Sequence, residues 1–152
     1  LTYKDPKLLG YLEQNIKCLP LWVCLKAKSK DSNWYMDSGC SNHMTGDKDQ
    51  FIFLKPKDGG NVTFGNNSKE EIEGIGTISN KSSTTIENIC YVSGLKHNLL
   101  SISQLCDKDF RVILESTHCV VISIITNTSK FIGFRHDNVY IAHLNNLHAQ
   151  DV

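Results

Sequence analysis

The chain has 152 residues, 40% of them hydrophobic, and its 16 basic and 16 acidic side chains cancel. That length supports one modest core and excludes a second full domain. With no net charge there is no global field to draw phosphate backbones or an anionic membrane surface, so direct nucleic-acid binding and membrane attachment are disfavoured.

Residues 1–33 differ from the rest. Asp5 and Pro6 can cap a short helix carrying Leu8, Leu9, Leu12 and Ile16, and a Lys- and Ser-rich stretch follows from Lys26 to Ser32. This part reads as a leader or linker. From Trp34 onward, apolar or alternating runs at 34–36, 51–54, 62–64, 70–78, 84–92, 111–114, 119–125, 130–134 and 138–143 are separated by Gly, Asn, Asp and Ser. Such punctuation predicts a mostly β domain over 34–144, with 145–152 as a tail. The segments Asp58-Gly59-Gly60, Gly65-Asn66-Asn67 and Thr126-Asn127-Thr128-Ser129 supply residues suited to hairpin turns. One helix is expected after Asn98 as N-cap, burying Leu99, Leu100, Ile102 and Leu105 before the polar exit Asp107-Lys108-Asp109. The run Cys119 to Ile125 is apolar on both faces, which suits a covered central strand or an edge awaiting a partner.

No run approaches the roughly 20 apolar residues of a membrane span. The first residues lack the pattern of a secretory signal, so the chain reads as soluble and cytoplasmic. Cys18, Cys24, Cys40, Cys90, Cys106 and Cys119 show no repeated spacing. They read as unpaired, mostly buried thiols, and neither a zinc site nor any other metal or cofactor is expected. His97, His118, His136, His143 and His148 read as ordinary polar residues.

The sharpest chemical signal is Trp34 to Gly46, WYMDSGCSNHMTG. An apolar strand delivers Asp37 into Ser38 and Gly39, where the absence of a Cβ lets backbone N–H groups approach the carboxylate. Taken alone, the triplet fits equally a turn in which Asp37 bonds its own backbone. A Cys40–His43 nucleophile and base pair is the weaker option, because adjacency on a turn does not bring the two into contact.

With its flanks, the segment resembles the retropepsin-like aspartic protease of copia-type retrotransposon polyproteins. The likeness continues through Phe51–Leu54, VTFGNNS at 62–68, GIGTI at 74–78, GLKHNLLSISQLCDK at 94–108 and DNVY at 137–140. It implies an all-β, pepsin-like half-barrel with one short helix in its C-terminal half and extra β-hairpins. It also implies a homodimer acting on a peptide or polyprotein substrate in the cytoplasm, including virus-like particles. Two Asp37 carboxyls would share a proton and activate a water between them. Ser38 would hydrogen-bond near the floor of the site, and Gly39 would allow close backbone approach. The hairpin from Val62 to Ile78 would cover the substrate, with its tip at Gly65-Asn66-Asn67 or at Gly74-Ile75-Gly76. Against the pattern, Asn42 stands where relatives typically carry Arg. An acidic residue expected shortly after the triplet is replaced by Ser41 and Asn42, and Gly94-Leu95-Lys96 only rearranges the signature expected before Asn98. The missing zinc knuckle and integrase-linked segment suggest a fragment or a decayed copy. A non-catalytic β-barrel remnant of the polyprotein is therefore the alternative to the protease.

Overall fold

The structure, a computed structural model, describes residues 33–64, 67–79 and 84–144. The expected leader helix, the Lys26–Ser32 stretch, Cys18, Cys24, Gly65, Asn66, His148 and the tail lie outside these residues. The expectation of an all-β fold is met. Among the described residues, twelve strands are joined by a 3-10 turn, Lys48–Gln50, and one six-residue helix, α1 (Ile102–Asp107).

The strands are β1 (Asn33–Asp37), β2 (Met44–Thr45), β3 (Phe51–Pro56), β4 (Asn61–Thr63), β5 (Lys69–Glu71), β6 (Gly74–Ser79), β7 (Thr85–Tyr91), β8 (Asn98–Ser101), β9 (Phe110–Leu114), β10 (His118–Ser123), β11 (Thr128–His136) and β12 (Val139–His143). Ten of them form one sheet in the order β3-β6-β7-β2-β8-β1-β12-β11-β10-β9, and β4 and β5 pair separately. The large sheet is open among the described residues, with β3 and β9 at its two ends.

Strand β1 explains why the domain has two cores. Trp34, Tyr35 and Met36 are all buried, and successive side chains leave a strand on opposite faces. Trp34 and Met36 join one cluster with Ile89, Leu100, Leu105, Val121 and Phe131. Tyr35 joins the other, with Met44, Ile72, Cys90, Val92 and Leu99. The Trp34 indole N–H, which burial would otherwise strand, donates to Gln50 Oε1 at 3.1 Å. Both edges of β1 are occupied: β8 runs parallel on one side, and β12 lies antiparallel on the other.

Two expectations are corrected. Asn98 is not a helix cap. Residues Asn98–Ser101 form β8, every one buried, and the N-cap is Ser101, whose hydroxyl accepts from Gln104 N–H. The Asn98 amide works laterally instead: Oδ1 accepts from Thr45 Oγ1 at 2.6 Å, and Nδ2 donates to the Asn33 carbonyl at 2.9 Å. Tying β2, β8 and β1 together satisfies a buried amide better than a cap would. Consequently Leu99 and Leu100 enter opposite cores and do not share a helical stripe.

The stretch 70–78 is also two strands. It breaks at Ile72 and Glu73, whose N–H groups donate to the Gly60 and Tyr91 carbonyls. The expected hairpin over Val62–Ile78 therefore ends at Glu71, and Gly74-Ile75-Gly76 form no tip. They lie in β6, paired with β3 on one side and β7 on the other. A Cβ on Gly76 would collide with the Phe53 carbonyl oxygen and stand 2.6 Å from Phe51 Cδ1. Because the first obstacle is backbone, Gly76→Ala is expected to lose about 1–3 kcal/mol, read as a lower urea midpoint at unchanged slope.

The run Cys119–Ile125 takes the first of its two expected forms: its strand β10 ends at Ser123 and sits between β9 and β11. Cys119, Val121 and Ser123 point into the core, while Ile124 and Ile125 stand in the following turn, 51% and 80% exposed. The strands after Arg111 do form the expected extra hairpins. Through β12 they close onto β1, the strand that carries Asp37.

Candidate functional site

Asp37 is the last residue of β1 and lies in register with Ser101, the last residue of the parallel strand β8. Its carboxyl folds back into its own turn, with Oδ1 accepting from Gly39 N–H at 2.7 Å. A Gly at that position leaves the short contact unobstructed. Burial is the largest influence on the carboxyl and raises its pKa above the ordinary carboxylate value. Hydrogen bonds from Gly39 and Cys40 oppose that rise without cancelling it. Ser38 is half-buried, and Gly39 is exposed.

After the exposed Ser41 and Asn42, the chain dives inward at His43, only 2% exposed. The imidazole Nδ1 accepts from Ser101 N–H at 2.9 Å, which places the ring proton on Nε2. The His43 N–H donates to Gln104 Oε1 at 2.7 Å, and its carbonyl accepts from Cys90 N–H at 2.8 Å. Burial pushes the imidazole pKa down to about 4. The other end of Gln104 donates to the Asn88 carbonyl at 3.0 Å. Asn88 adopts a positive φ of 57° within β7, where the β6–β7 register shifts.

Cys40 and His43 do not form a nucleophile and base pair. The ring nitrogen that could accept a thiol proton is occupied by Ser101 N–H. Cys40 Sγ instead faces the Asp37 carbonyl at 3.7 Å, and burial followed by the Asp37 charge drives its pKa well up. An unactivated thiol results. Among the described residues, no group of three His, Cys, Asp or Glu side chains could hold a metal ion, and no helix is long and apolar enough to cross a membrane.

The β4–β5 hairpin is closed by Phe64 N–H to the Ser68 carbonyl and Asn67 N–H to the Phe64 carbonyl, both 2.9 Å. Of its expected tip only Asn67 is described, at φ 63°. Val62 and Ile75 pack beside Cys40 against the core that holds Tyr35. Strand alternation puts the Asp37 side chain on the same face as Tyr35, so hairpin and acid share one side of the sheet.

The family described as "Pol polyprotein, beta-barrel domain" matches residues 34–110. This chain belongs to that family. The match starts at Trp34 in β1 and stops where β9 begins, so it takes in the Asp37 turn, the hairpin and the helix and leaves out β10–β12. Among curated proteins, the domain is 32% identical over 82 residues to the retrovirus-related Pol polyprotein from transposon TNT 1-94 of Nicotiana tabacum. It is 30% identical over 89 residues to that from transposon RE1, and 32% over 88 residues to that from transposon RE2, both of Arabidopsis thaliana. These alignments cover 51%, 56% and 55% of this chain and 6% of each relative's length. No solved structure matches the chain. The domain is thus a Pol polyprotein β-barrel domain of the copia type, as the motifs between Trp34 and Lys108 led one to expect.

Of the residues singled out in the sequence, Asp37, Ser38 and Gly39 form one turn. Ile75 borders the core on the hairpin side, while Gly74 and Gly76 serve strand packing. Sequence reasoning missed Ser101 and Gln104. Their only signal was the S-x-x-Q spacing of a capping box, whose last residue here reaches His43.

Proposed function

We propose that the domain is a structural β-module of its Pol polyprotein, non-catalytic as a single chain. The observation that carries this reading is that the Asp37 carboxyl is satisfied within its own turn. Every hydrogen bond that moves its proton affinity comes from Gly39 or Cys40, whereas carboxylate-driven peptide hydrolysis uses two acids sharing a proton.

A second reading, an aspartic endopeptidase acting as a homodimer, is favoured by a different observation. A half-buried acid with a raised pKa ends a strand on the face that also carries the β4–β5 hairpin. In that reading the protonated Asp37 of one copy polarises the peptide carbonyl, while the ionised Asp37 of the other takes a proton from water. The hairpin would exclude solvent.

Sedimentation across a concentration series, with cleavage of an unfolded protein substrate between pH 4 and 7, separates the two. A structural module is expected to give no cleavage that differs between wild type and Asp37→Asn. Cleavage that rises with dimerisation and vanishes in Asp37→Asn would overturn that reading and establish the peptidase.

A further inference from the structure

Ser101 makes four hydrogen bonds from one buried position at the junction of β8 and α1, one of them with Ser103 Oγ. Its Oγ donates to the Cys40 carbonyl at 2.7 Å, and the same oxygen accepts from Gln104 N–H at 3.1 Å. Its backbone N–H donates to His43 Nδ1 at 2.9 Å. The two loop groups it grips, the Cys40 carbonyl and the His43 ring, bracket the exposed Ser41 and Asn42. Beyond them, Gln104 holds His43 N–H and passes the connection to the Asn88 carbonyl of β7. Ser101 is 0% exposed, His43 2% and Gln104 8%, so water does not compete for these bonds.

A helix needs only the Gln104 contact for its cap. Beyond the helix start, the bonds to the Cys40 carbonyl and the His43 ring run to the loop that begins at Asp37, and Ser101 stands opposite Asp37 in register. We infer that Ser101 is a positioning residue for the Asp37 acid: by clamping Cys40 and His43 it fixes the turn that keeps the carboxyl half-buried and directed onto Gly39 N–H. The inference deepens the structural reading and holds whether or not Asp37 reacts, because what Ser101 fixes is the buried setting of the acid. It names Ser101 as the residue that holds the turn, with His43 and Gln104 as its relays.

The test is the Asp37 carboxyl pKa, read by carbon-detected NMR titration of the full chain. In Ser101→Ala the Cys40 carbonyl loses its donor while the backbone N–H to His43 Nδ1 is kept, so the turn loosens at Cys40, water reaches the carboxyl, and the pKa is expected to fall towards the ordinary carboxylate value, burial being the larger influence on it. Ser101→Thr keeps the hydroxyl and restores the wild-type titration. Ser103 Oγ, 3.0 Å from Ser101 Oγ, is replaced by Ala in parallel and leaves the titration unchanged. A lowered melting temperature with an unmoved Asp37 pKa in Ser101→Ala reduces the residue to a helix cap and overturns the inference. Should Ser101→Ala not fold, Ser101→Cys, whose thiol is a weaker donor to the Cys40 carbonyl, is read the same way: a fall in pKa supports the clamp, and no change refutes it. Because the read-out is a titration and not cleavage, loss of the peptidase reading leaves the result interpretable.

Discussion

Acidification from pH 7 to pH 4 is expected to remove about 3 kcal/mol of stability through His43 alone. Burial holds the folded imidazole at about 4, against an ordinary value of 6.5. Above that ordinary value both folded and unfolded His43 are neutral, and pH has no effect through this group. Between 6.5 and about 4 the unfolded chain binds a proton that the folded ring refuses, so stability falls as the pH falls. Below about 4 both states bind it, and the loss stops. A gap of that width, at about 1.4 kcal/mol per pH unit, gives the figure stated. Protonation would also set an Nδ1–H against the Ser101 N–H that Nδ1 now accepts. Asp37 works the other way. Its folded pKa is raised, so the folded carboxyl binds its proton at a higher pH than the unfolded one and returns some stability as pH falls through that window. His43→Asn, which retains an acceptor and does not titrate, separates the two. Urea unfolding at several pH values between 7 and 4 should show the gap between wild type and variant changing in the variant's favour. A gap that stays constant across that range would sink the assignment.

The Asp37 turn and the hairpin after Asn61 were legible because their signals are local. A strand that stops at Asp-Ser-Gly, or a hairpin turn containing Asn67 at φ 63°, carries its geometry in neighbouring residues, whereas Gly59 and Gly60 form no hairpin turn because β3 and β4 do not pair. The partners of His43 were not legible, since Ser101 and Gln104 lie 58 and 61 positions away and meet it only through the parallel pairing of β1 with β8. The short strand β2 was missed for the same reason. Two residues, Met44 and Thr45, become a strand only because β7 and β8 flank them. Gly76 shows the opposite error. A Gly-Ile-Gly run suggests a mobile tip, yet here the missing Cβ admits the Phe53 carbonyl and the Phe51 ring. Composition cannot tell a glycine kept for freedom from one kept for close packing.

Asn98→Asp is expected to destabilise the domain by about 3 kcal/mol or more at pH 7, because it puts a carboxylate where the structure buries an amide. At a helix N-cap, Asp serves as well as Asn, so a residue in that role would tolerate the exchange. Asn98 is instead 4% exposed within β8. One of its contacts survives the substitution, since Thr45 Oγ1 can still donate to an oxygen at the Oδ1 position. The other reverses. Where Nδ2 donates to the Asn33 carbonyl at 2.9 Å, a carboxylate oxygen would face another acceptor. Protonation repairs that contact, because a neutral acid donates from one oxygen and accepts at the other. The folded variant should therefore hold its proton to a higher pH than the unfolded chain, and its deficit relative to wild type should shrink as the pH falls. This trend is opposite in sign to the effect of His43 and is measured in the same unfolding series. Unchanged stability at pH 7 would return Asn98 to a helix start and remove the tie between β1, β2 and β8 that keeps Asp37 opposite Ser101.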